Sequence, residues 1–448
     1  MVETLGSKIV STKLQRVAKL TREAPGMVWT TLAHHIDGNF LREAYRRTRK
    51  GGAVGVDERT ADEYALDLEV NLESLRERLK SGAYYAPPVR RVHIPKGEGT
   101  ATRPIGIPTF EDKVLQRAVS MVLEAVYEQG FRNCSFGFRP RRSAHQALNV
   151  LRQGLMEMKG GWVLEVDIRK FFDTLDHGHL RSFLDQRVRD GVLRRVIDKW
   201  LKAGVLQEGT LSYPELGSPQ GGVISPLLAN IYLHEVLDKW FEDVVKPRLR
   251  GSAFLVRYAD DFVIVFTWER DAHRVMEVLP KRFGRYGLTL HPEKTRLIPF
   301  WRPRFSRGLS GSRVPRPGTF DLLGFTHYWA RSRRGSWVVK RKTAKDRLRQ
   351  GLKRVSAWCS ENRHQPLGYQ HRNLVAKLRG HYAYFGLTGN GRLLSQFRYR
   401  VLLLWRRWLS RRSQRAWVSW KRFARLLKLY PLPEPVMLSS LSGHAVSP

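Results

Sequence analysis

The strongest constraint on the fold is a pair of short apolar segments that lie almost next to each other. Residues 253–258 and 262–266 are strand-like, and only Ala259-Asp260-Asp261 separates them. A connection this short predicts a tight antiparallel β-hairpin with two carboxylates at its tip. Asp is also a common turn residue, because it tolerates turn geometry and bonds its own backbone, so the pair alone does not define a site.

A third carboxylate, Asp167, directly follows another short apolar segment, residues 162–166. Carboxylates from adjacent strands can hold two divalent ions, which stabilise the attacking and the leaving oxygens of a nucleotidyl transfer. A flexible turn, residues 217–222, precedes a helical run over 227–240. It is the third feature, after the hairpin pair and Asp167, that points to this chemistry. Asp167 alone would also suit a helix N-cap or a surface turn, but the three features in this order predict a two-metal site.

The charge of the chain is large and uneven. Its 448 residues include 79 Lys+Arg and 41 Asp+Glu, a net charge of +38. Residues 301–448 hold 32 basic and 4 acidic residues, against 47 and 37 in residues 1–300. A basic face kept only for solubility would not need so many uncompensated charges, so the last third is interpreted as a polyanion-binding region attached to an enzyme body.

The hydrophobic periodicity predicts a mixture of helices and short strands. Residues 1–50 are helical and basic, and residues 51–55 form a Gly-rich turn. Two extended pieces, 89–94 and 105–108, predict a hairpin with a basic tip, and 301–320 is a loop rich in Arg, Pro, Gly and Ser. Helices are predicted over 60–80, 111–128, 143–158, 178–203 and, with interruptions, from 340 to about 429.

Apolar faces at helical spacing define a predicted core in the last third. They consist of Leu348, Leu352, Val355 and Trp358; of Leu374, Leu378 and Tyr382; and of Leu394, Phe397, Val401, Leu404 and Trp408.

The cysteine and hydropathy patterns predict an intracellular protein. Cys134 and Cys359 form no CxxC pair and no zinc-spaced cluster, which is typical of buried thiols in a reducing compartment. The sequence has no apolar run of about 18 residues and no apolar signal core at its N-terminus. We therefore expect a cytoplasmic protein, associated with nucleic acid and not with a membrane.

Several blocks of the sequence closely resemble the reverse transcriptases encoded by bacterial group II introns. The polymerase motifs are similar at residues 167–173 (DIRKFFD), 217–230 (GSPQGGVISPLLAN), 258–261 (YADD), 287–295 (GLTLHPEKT) and 320–325 (FDLLGF). The blocks 51–57 (GGAVGVD), 94–108 (IPKGEGTATRPIGIP) and 136–148 (FGFRPRRSAHQAL) resemble the finger regions, and 380–385 (GHYAYF) resembles the maturase region. Many family members carry a further Cys/His-type endonuclease region; no such cluster occurs here, so second-strand DNA cleavage is not expected.

The resemblance implies an α+β, right-hand polymerase fold. The expected domains are an N-terminal helical extension (1–50), fingers and palm with an antiparallel sheet (51–325), an α-helical thumb and maturase region (326–436) and a tail (437–448).

The resemblance also assigns catalytic and nucleotide-binding roles. Asp167, Asp260 and Asp261, assisted by the backbone carbonyl of Ile168, would bind two Mg²⁺ ions, with Mn²⁺ as a substitute. Nucleotide contacts are expected from a second set. Lys96 and Arg103 would bind the triphosphate, and Phe172 would lie against the sugar and exclude a 2′-hydroxyl. Gln220 would rest beside the nucleotide. Lys294 is a candidate proton donor to the leaving pyrophosphate. Phe171 is expected in the core.

Basic clusters in the last third are expected to contact RNA phosphates. They are Lys340, Arg341, Lys342, Arg406, Arg407, Arg411 and Arg412. The tryptophans Trp405, Trp408, Trp417 and Trp420 either stack on unpaired bases or pack in a core, and their helical spacing favours the core.

The implied function is an RNA-directed DNA polymerase that uses deoxynucleoside triphosphates, an RNA template and a DNA primer or target. It would also bind structured intron RNA and assist splicing and mobility. Three alternatives stay open: a reverse transcriptase recruited to phage defence or CRISPR spacer acquisition, a domesticated RNA-binding splicing factor without polymerase activity, and an RNA-templated RNA polymerase. The oligomeric state is not predicted.

Overall fold

The structure is a computed structural model with a mixture of helices and sheets. It describes residues 5–95, 102–207, 210–213, 216–217, 221–303, 317–413 and 417–437. The chain divides into two compact units, one formed by Met1–Ala147 with Leu164–Leu297 and the other by Leu148–Val163 with Ile298–Pro448. Within the described ranges, no helix is both long enough and apolar enough to cross a lipid bilayer.

Helices form most of the first unit. They are α1 (Leu5–Glu23), α2 (Gly38–Arg47), α3 (Ala61–Leu66), α4 (Leu68–Ser81), α5 (Phe110–Tyr127), α6 (Ala144–Glu157, which continues into the second unit), α7 (Phe171–Thr174), α8 (His177–Asp185), α9 (Gly191–Leu201), α10 (Ser225–Leu233) and α11 (Glu269–Gly284).

Three sheets accompany these helices. Their strands are β1 (Val89–Pro95), β2 (Thr102–Ile107), β3 (Trp162–Val166), β4 (Ile168–Arg169), β5 (Val205–Gln207), β6 (Thr210–Ser212), β7 (Ala253–Tyr258), β8 (Asp261–Phe266), β9 (Thr289–Leu290) and β10 (Arg296–Pro299). The sheet orders are β2-β1-β5-β6, β10-β3-β8-β7 and β4-β9. Strands β1 and β2 form the predicted antiparallel hairpin, with Ile94 opposite Arg103.

The core of the first unit surrounds α5 and α10. Helix α5 begins where the side chain of Thr109 accepts a hydrogen bond from the backbone of Asp112, and most of its residues are buried. Every residue of α10 except Pro226 is buried. Two π-helical segments, His234–Asp238 and Trp240–Val245, continue α10, and such segments often accompany functional sites.

Two helices predicted as continuous are each divided in two. Asp67 separates α3 from α4. Asp190 begins α9 by accepting hydrogen bonds from the backbone of Val192 and Leu193, and its other carboxylate oxygen accepts the backbone N–H groups of Leu32 and Ala33. The prediction of one helix over 178–203 was wrong because periodicity alone does not show that an Asp inside the pattern will cap a new helix.

The second unit contains a three-stranded sheet and a group of helices. The elements are β11 (Phe320–Leu322), β12 (Phe325–Arg331), β13 (Trp337–Thr343), α12 (Lys345–Glu361), α13 (Leu367–Phe385), α14 (Gly391–Leu409) and α15 (Trp420–Leu429). Strand β12 pairs antiparallel with β11 and with β13. The helical pattern predicted from residue 340 thus begins slightly later, after β13.

The predicted apolar faces form the core of the helices in the second unit. Val355, Leu374, Leu378, Tyr382, Leu394, Phe397 and Val401 are buried, and Leu348, Leu352, Trp358, Leu404 and Trp408 pack against them partly buried. Trp405, which was not part of the predicted faces, is fully buried in the same core. Cys134 in the first unit and Cys359 in the second are buried free thiols, as predicted.

Candidate active site

The hairpin of β7 and β8 carries the predicted pair of carboxylates. Tyr258 lies opposite Asp261, so the turn consists of two residues, Ala259 and Asp260, and not of the three predicted. Ala259 has a φ of 57°, in the left-handed region that L-residues rarely occupy. Asp260 is partly buried at the turn, whereas Asp261 is exposed at the first position of β8.

Asp167, the residue after β3, approaches this turn because β3 is the neighbour of β8 in the sheet. Burial raises the pKa of Asp260 above its ordinary value, and the negative charge of Asp167 raises it further. The guanidinium groups of Arg103 and Arg257 act in the opposite direction. The structure therefore brings two predicted metal ligands and one predicted phosphate ligand, Arg103, within electrostatic reach of one another.

Lys294 is ion-paired with Asp167. Its ammonium lies 2.5 Å from Oδ2 of Asp167, and both side chains are partly exposed. The backbone N–H of His291 donates to the carbonyl of Asp167 at 2.8 Å, and β9 pairs with β4. Residues 287–295, which resemble the motif after the YADD box, are thus hydrogen-bonded to the backbone that directly follows β3.

The remaining predicted nucleotide contacts have mixed outcomes. Phe172 is partly exposed and meets buried Phe171 edge-to-face at 5.3 Å, so Phe171 is a core residue as predicted. The side chain of Ile168 is buried, which leaves its backbone as the relevant group. Lys96 and Gln220 lie outside the described residues.

The carboxylates do not form a ready three-ligand cluster in this conformation. Across the described ranges, no group of three or more His, Cys, Asp or Glu side chains is arranged to hold a metal ion. The observed arrangement is a pair, Asp167 and Asp260, with the ammonium of Lys294 beside Asp167.

A buried ion pair that the sequence analysis missed supports the hairpin. Arg257 and Asp238 are both fully buried, and two hydrogen bonds of 2.8 and 2.5 Å join them. Arg257 also donates to the carbonyl of Ala259 and to Oδ1 of Asn230, each at 3.0 Å. Arg257 thereby fixes the backbone of the turn that carries Asp260.

The same network includes a glycine that lies against the turn. Asn230 donates to the carbonyl of Gly137 at 2.7 Å. A Cβ atom on Gly137 would lie 2.3 Å from the backbone nitrogen of Ala259, so only glycine fits there. An Arg inside the apolar strand 253–258 and an Asp in the apolar helical run after residue 227 were the signals that could have revealed this network.

Strand β13 divides the first predicted RNA-binding cluster between its two faces. Lys342 is exposed and lies over the ring of Tyr328, and Lys340 is partly exposed. Arg341 is buried, donates to Oδ1 of Asn149 at 2.9 Å, and has its pKa lowered by burial to about 10. Side chains alternate between the faces of a strand, so Arg341 lies on the face opposite Lys340 and Lys342, and its phosphate contact stays a prediction.

In the second predicted cluster, around the end of α14, some arginines are hydrogen-bonded to the protein backbone and others are exposed. Arg412 donates to the carbonyls of Arg363 and Gln365, so it holds a loop and is not a free surface cation. Arg407 and Arg411 are exposed and lie near the ring of Trp408.

Two of the four ambiguous tryptophans are exposed. Trp405 is in the core and Trp408 is partly buried, but Trp417 and Trp420 are 70% and 53% exposed. The guanidinium of Arg406 lies 3.8 Å from the ring centre of Trp420 and 5.8 Å from that of Trp417. Helical spacing favoured the core for all four, and it was wrong for these two.

Comparison with known proteins finds a family match over the region that contains these residues. A profile of the family described as reverse transcriptase (RNA-dependent DNA polymerase) matches residues 94–327, just over half of the chain. Group II intron-encoded protein LtrA of Lactococcus lactis subsp. cremoris is 39% identical over 232 residues, which cover 51% of this chain and 38% of that protein. Protein YkfC of Escherichia coli (strain K12) is 38% identical over 257 residues, or 50% of this chain and 67% of that protein.

A plant protein named as a maturase is also similar. Nuclear intron maturase 2, mitochondrial, of Arabidopsis thaliana is 31% identical over 191 residues, which cover 34% of this chain and 25% of that protein. The profile match includes Asp167, Asp260 and Asp261, all of strand β2 with Arg103, and the last two residues of β1. The chain belongs to the reverse transcriptase (RNA-dependent DNA polymerase) family.

Proposed function

We propose that this protein copies RNA into DNA by nucleotidyl transfer and that it binds structured intron RNA. The observation that carries the proposal is the approach of Asp167 to Asp260 at the ends of neighbouring strands, with Arg103 in electrostatic reach. Membership of the reverse transcriptase family and likeness to a group II intron-encoded protein support the same activity.

The residues at the hairpin suit Mg²⁺. Carboxylate oxygens are the ligands that this ion prefers, and the mutual repulsion of Asp167 and Asp260 is of the kind that a bound cation relieves. Lys294 already places one positive charge against Asp167. Asp167, Asp260, Asp261 and the backbone carbonyl of Ile168 would hold two Mg²⁺ ions, for which Mn²⁺ is the expected substitute. When bound, the ions supply electrostatic stabilisation of the attacking and leaving oxygens.

The protein's own side chains would bind and orient the nucleotide. Arg103 and Lys96 would hold the triphosphate, because a guanidinium makes paired contacts to phosphate and an ammonium acts as a point charge. Phe172 would lie against the sugar and exclude a 2′-hydroxyl, and Gln220 would rest beside the incoming nucleotide. Nζ of Lys294 would donate a proton to the leaving pyrophosphate.

The right-hand architecture is part of this proposal. Residues 51–325 would form the fingers and palm, and 326–436 the thumb and maturase region, preceded by the helical extension 1–50. The substrates would be deoxynucleoside triphosphates, an RNA template and a DNA primer.

A second activity, binding of structured RNA, is favoured by a separate observation in the second unit. Exposed Trp417 and Trp420 stand beside Arg406, with Arg407 and Arg411 near Trp408. Aromatic faces with nearby cations stack on unpaired bases and attract phosphates. Relatives that are named as an intron-encoded protein and an intron maturase make intron RNA the expected ligand.

Primer extension tests the polymerase proposal. The wild-type protein, an Asp260→Ala/Asp261→Ala variant and an Asp62→Ala control would each receive an RNA template, a DNA primer, Mg²⁺ and four deoxynucleotides. Asp62 is exposed on α3 and matches the other changes in chemistry. We expect full-length DNA from the wild type and from the control, and none from the double variant. Tight binding of structured RNA without extension by any of the three would overturn the polymerase assignment and favour a splicing factor.

A further inference from the structure

The beginning of helix α10 is held by a side chain from another helix. Ile224, the residue before α10, has no side-chain cap, and Leu227 three residues later cannot supply the usual reciprocal bond. Oε1 of Gln116, on α5, instead accepts the backbone N–H groups of Val223 at 2.7 Å and Ile224 at 3.3 Å. Gln116 thus fixes the backbone that leads into α10.

The amide of Gln116 is in turn oriented by a buried carboxylate. Its Nε2 donates to Oδ2 of Asp112 at 3.0 Å. Oδ1 of Asp112 accepts Nε1 of Trp200 at 2.6 Å and the hydroxyl of Tyr84. An ionised carboxylate only accepts hydrogen bonds, so it keeps the nitrogen of Gln116 towards itself and the oxygen towards residues 223 and 224.

The same backbone is confined on a second side by strand β2. Gly221 has a φ of 114°, and a Cβ atom there would lie 2.6 Å from the carbonyl of Gly106. Gly106 is three residues after Arg103 on β2. The glycine turn 221–222 therefore has little freedom between β2 and Gln116.

We propose that Gln116 and Asp112 are positioning residues that set the affinity for the incoming deoxynucleotide by fixing the turn before α10. The inference rests on the proposed function, because residue 220, immediately before this turn, is the expected nucleotide contact. Neither side chain touches the reacting groups. Both are almost completely buried, so they act through the backbone of residues 221–224.

A hydrogen-bond swap tests this role. Gln116→Met keeps the length of the side chain and removes all three of its hydrogen bonds. Gln116→Glu alone places two carboxylates next to each other. Asp112→Asn alone places the NH₂ group of the new amide against the NH₂ group of Gln116, so that two donors face each other. The Asp112→Asn/Gln116→Glu double variant restores every bond, because the new amide at position 112 would donate to the new carboxylate at position 116, which still accepts the two backbone N–H groups. Gln153→Met, at an exposed position of α6, is the matched control.

Steady-state primer extension would be measured at varied deoxynucleotide concentration, with RNA binding and thermal unfolding measured alongside. We expect each single change to raise the deoxynucleotide KM roughly tenfold, the scale of one or two lost hydrogen bonds, with a smaller change in kcat. The double variant should return KM to within about threefold of the wild type, and the control should not differ from it.

The outcomes separate the inference from the polymerase proposal. An inactive wild type would refute the polymerase proposal itself. An active wild type with an unchanged KM in folded Gln116→Met would overturn the inference alone. If the single variants do not fold, recovery of active enzyme in the double variant supports the inference, and failure of the double variant to recover contradicts it.

Discussion

The two units differ in the partners of their buried charged side chains. In the first unit, buried Asp238 is paired with Arg257, and buried Asp112 accepts three neutral donors. In the second unit, buried Arg341 contacts the neutral side chain of Asn149, and its Nε has no hydrogen-bond partner among the described residues. Near it, burial and the charge of Arg341 lower the pKa of His327 to about 3, so this imidazole is neutral at physiological pH.

The difference shows where each unit needs a fixed geometry. Buried charges with complete partners hold one arrangement of the backbone, and in the first unit they hold the turns before α10 and at Asp260. The helices of the second unit have an apolar core instead, and many of their cations lie on the surface. Uncompensated surface cations suit a region whose counter-charges come from a bound polyanion.

Breaking the Arg257–Asp238 pair should give the largest effect. Arg257→Met leaves the Asp238 carboxylate buried without a cation, which costs about 3–5 kcal/mol of unfolding free energy. It also releases the carbonyl of Ala259, so extension should fall about 100-fold or more. Urea unfolding and primer extension would measure the two effects.

Two further variants separate folding from positioning. Arg257→Met/Asp238→Leu should recover most of the stability, because an apolar pair can replace a buried ion pair, but extension should stay weak without the bond to Ala259. Arg132→Met, in the partly exposed pair with Asp243, should cost no more than about 1 kcal/mol. Full activity in the double variant would show that Arg257 only stabilises the fold.

The sequence predicted the elements that carry the site better than the contacts that hold it. The strand over 162–166, both hairpins, and the carboxylates that follow that strand and lie at the β7–β8 turn were predicted from short apolar runs and turn chemistry, which are local signals. The bonds from Gln116 to Val223 and from Arg257 to Asp238 join residues 107 and 19 positions apart. A charged residue in an apolar run shows that Arg257 and Asp238 need partners but does not identify them, and Gln116 gives no such signal.

Exposure in the second unit was the other feature that sequence could not determine. Trp405 and Trp420 both fall at helical spacing from apolar neighbours, yet one is buried and the other is more than half exposed. Which face of a helix is covered depends on the elements packed against it, and periodicity does not identify them.

Asp112 offers a pH test of burial in the first unit. Burial raises its pKa to about 6, outweighing the hydrogen bonds from Tyr84, Trp200 and Gln116, and Glu111 adds a small repulsion. The native state therefore binds this proton more tightly than the unfolded state, so the contribution to stability falls as pH rises from about 4 to about 6. Asp112→Asn removes that titration.

The unfolding free energy of the wild type minus that of Asp112→Asn should thus be more positive at pH 4.5 than at pH 7.5, by on the order of 2 kcal/mol. Urea unfolding followed by circular dichroism at both pH values would measure it. A difference that grows with pH would mean that the carboxylate is ionised throughout and that its donors outweigh burial.

The exposed tryptophans test whether the second unit binds RNA by stacking. Trp420→Ala should weaken binding of a single-stranded RNA of mixed sequence about tenfold, since stacking on one aromatic side chain contributes about 1–3 kcal/mol. Trp268→Ala is the matched control, because Trp268 is 59% exposed but belongs to the first unit. Fluorescence anisotropy would measure both affinities. Equal affinities for the two variants would refute a stacking surface at α15.

The smallest expected effect separates the two faces of strand β13. If exposed Lys342 contacts one RNA phosphate, Lys342→Ala should weaken RNA binding only a few-fold and reduce the slope of log affinity against log salt by about 0.7–0.9. Arg341→Met should leave that slope unchanged, because its guanidinium is buried, and should alter only the stability of the second unit. Affinities at several salt concentrations, with thermal unfolding as the second measurement, distinguish the two variants. If the slope of log affinity against log salt falls for Arg341→Met but not for Lys342→Ala, the phosphate contact lies on the face of β13 that carries Arg341. The guanidinium of Arg341 would then bind RNA and would not serve only to stabilise the fold.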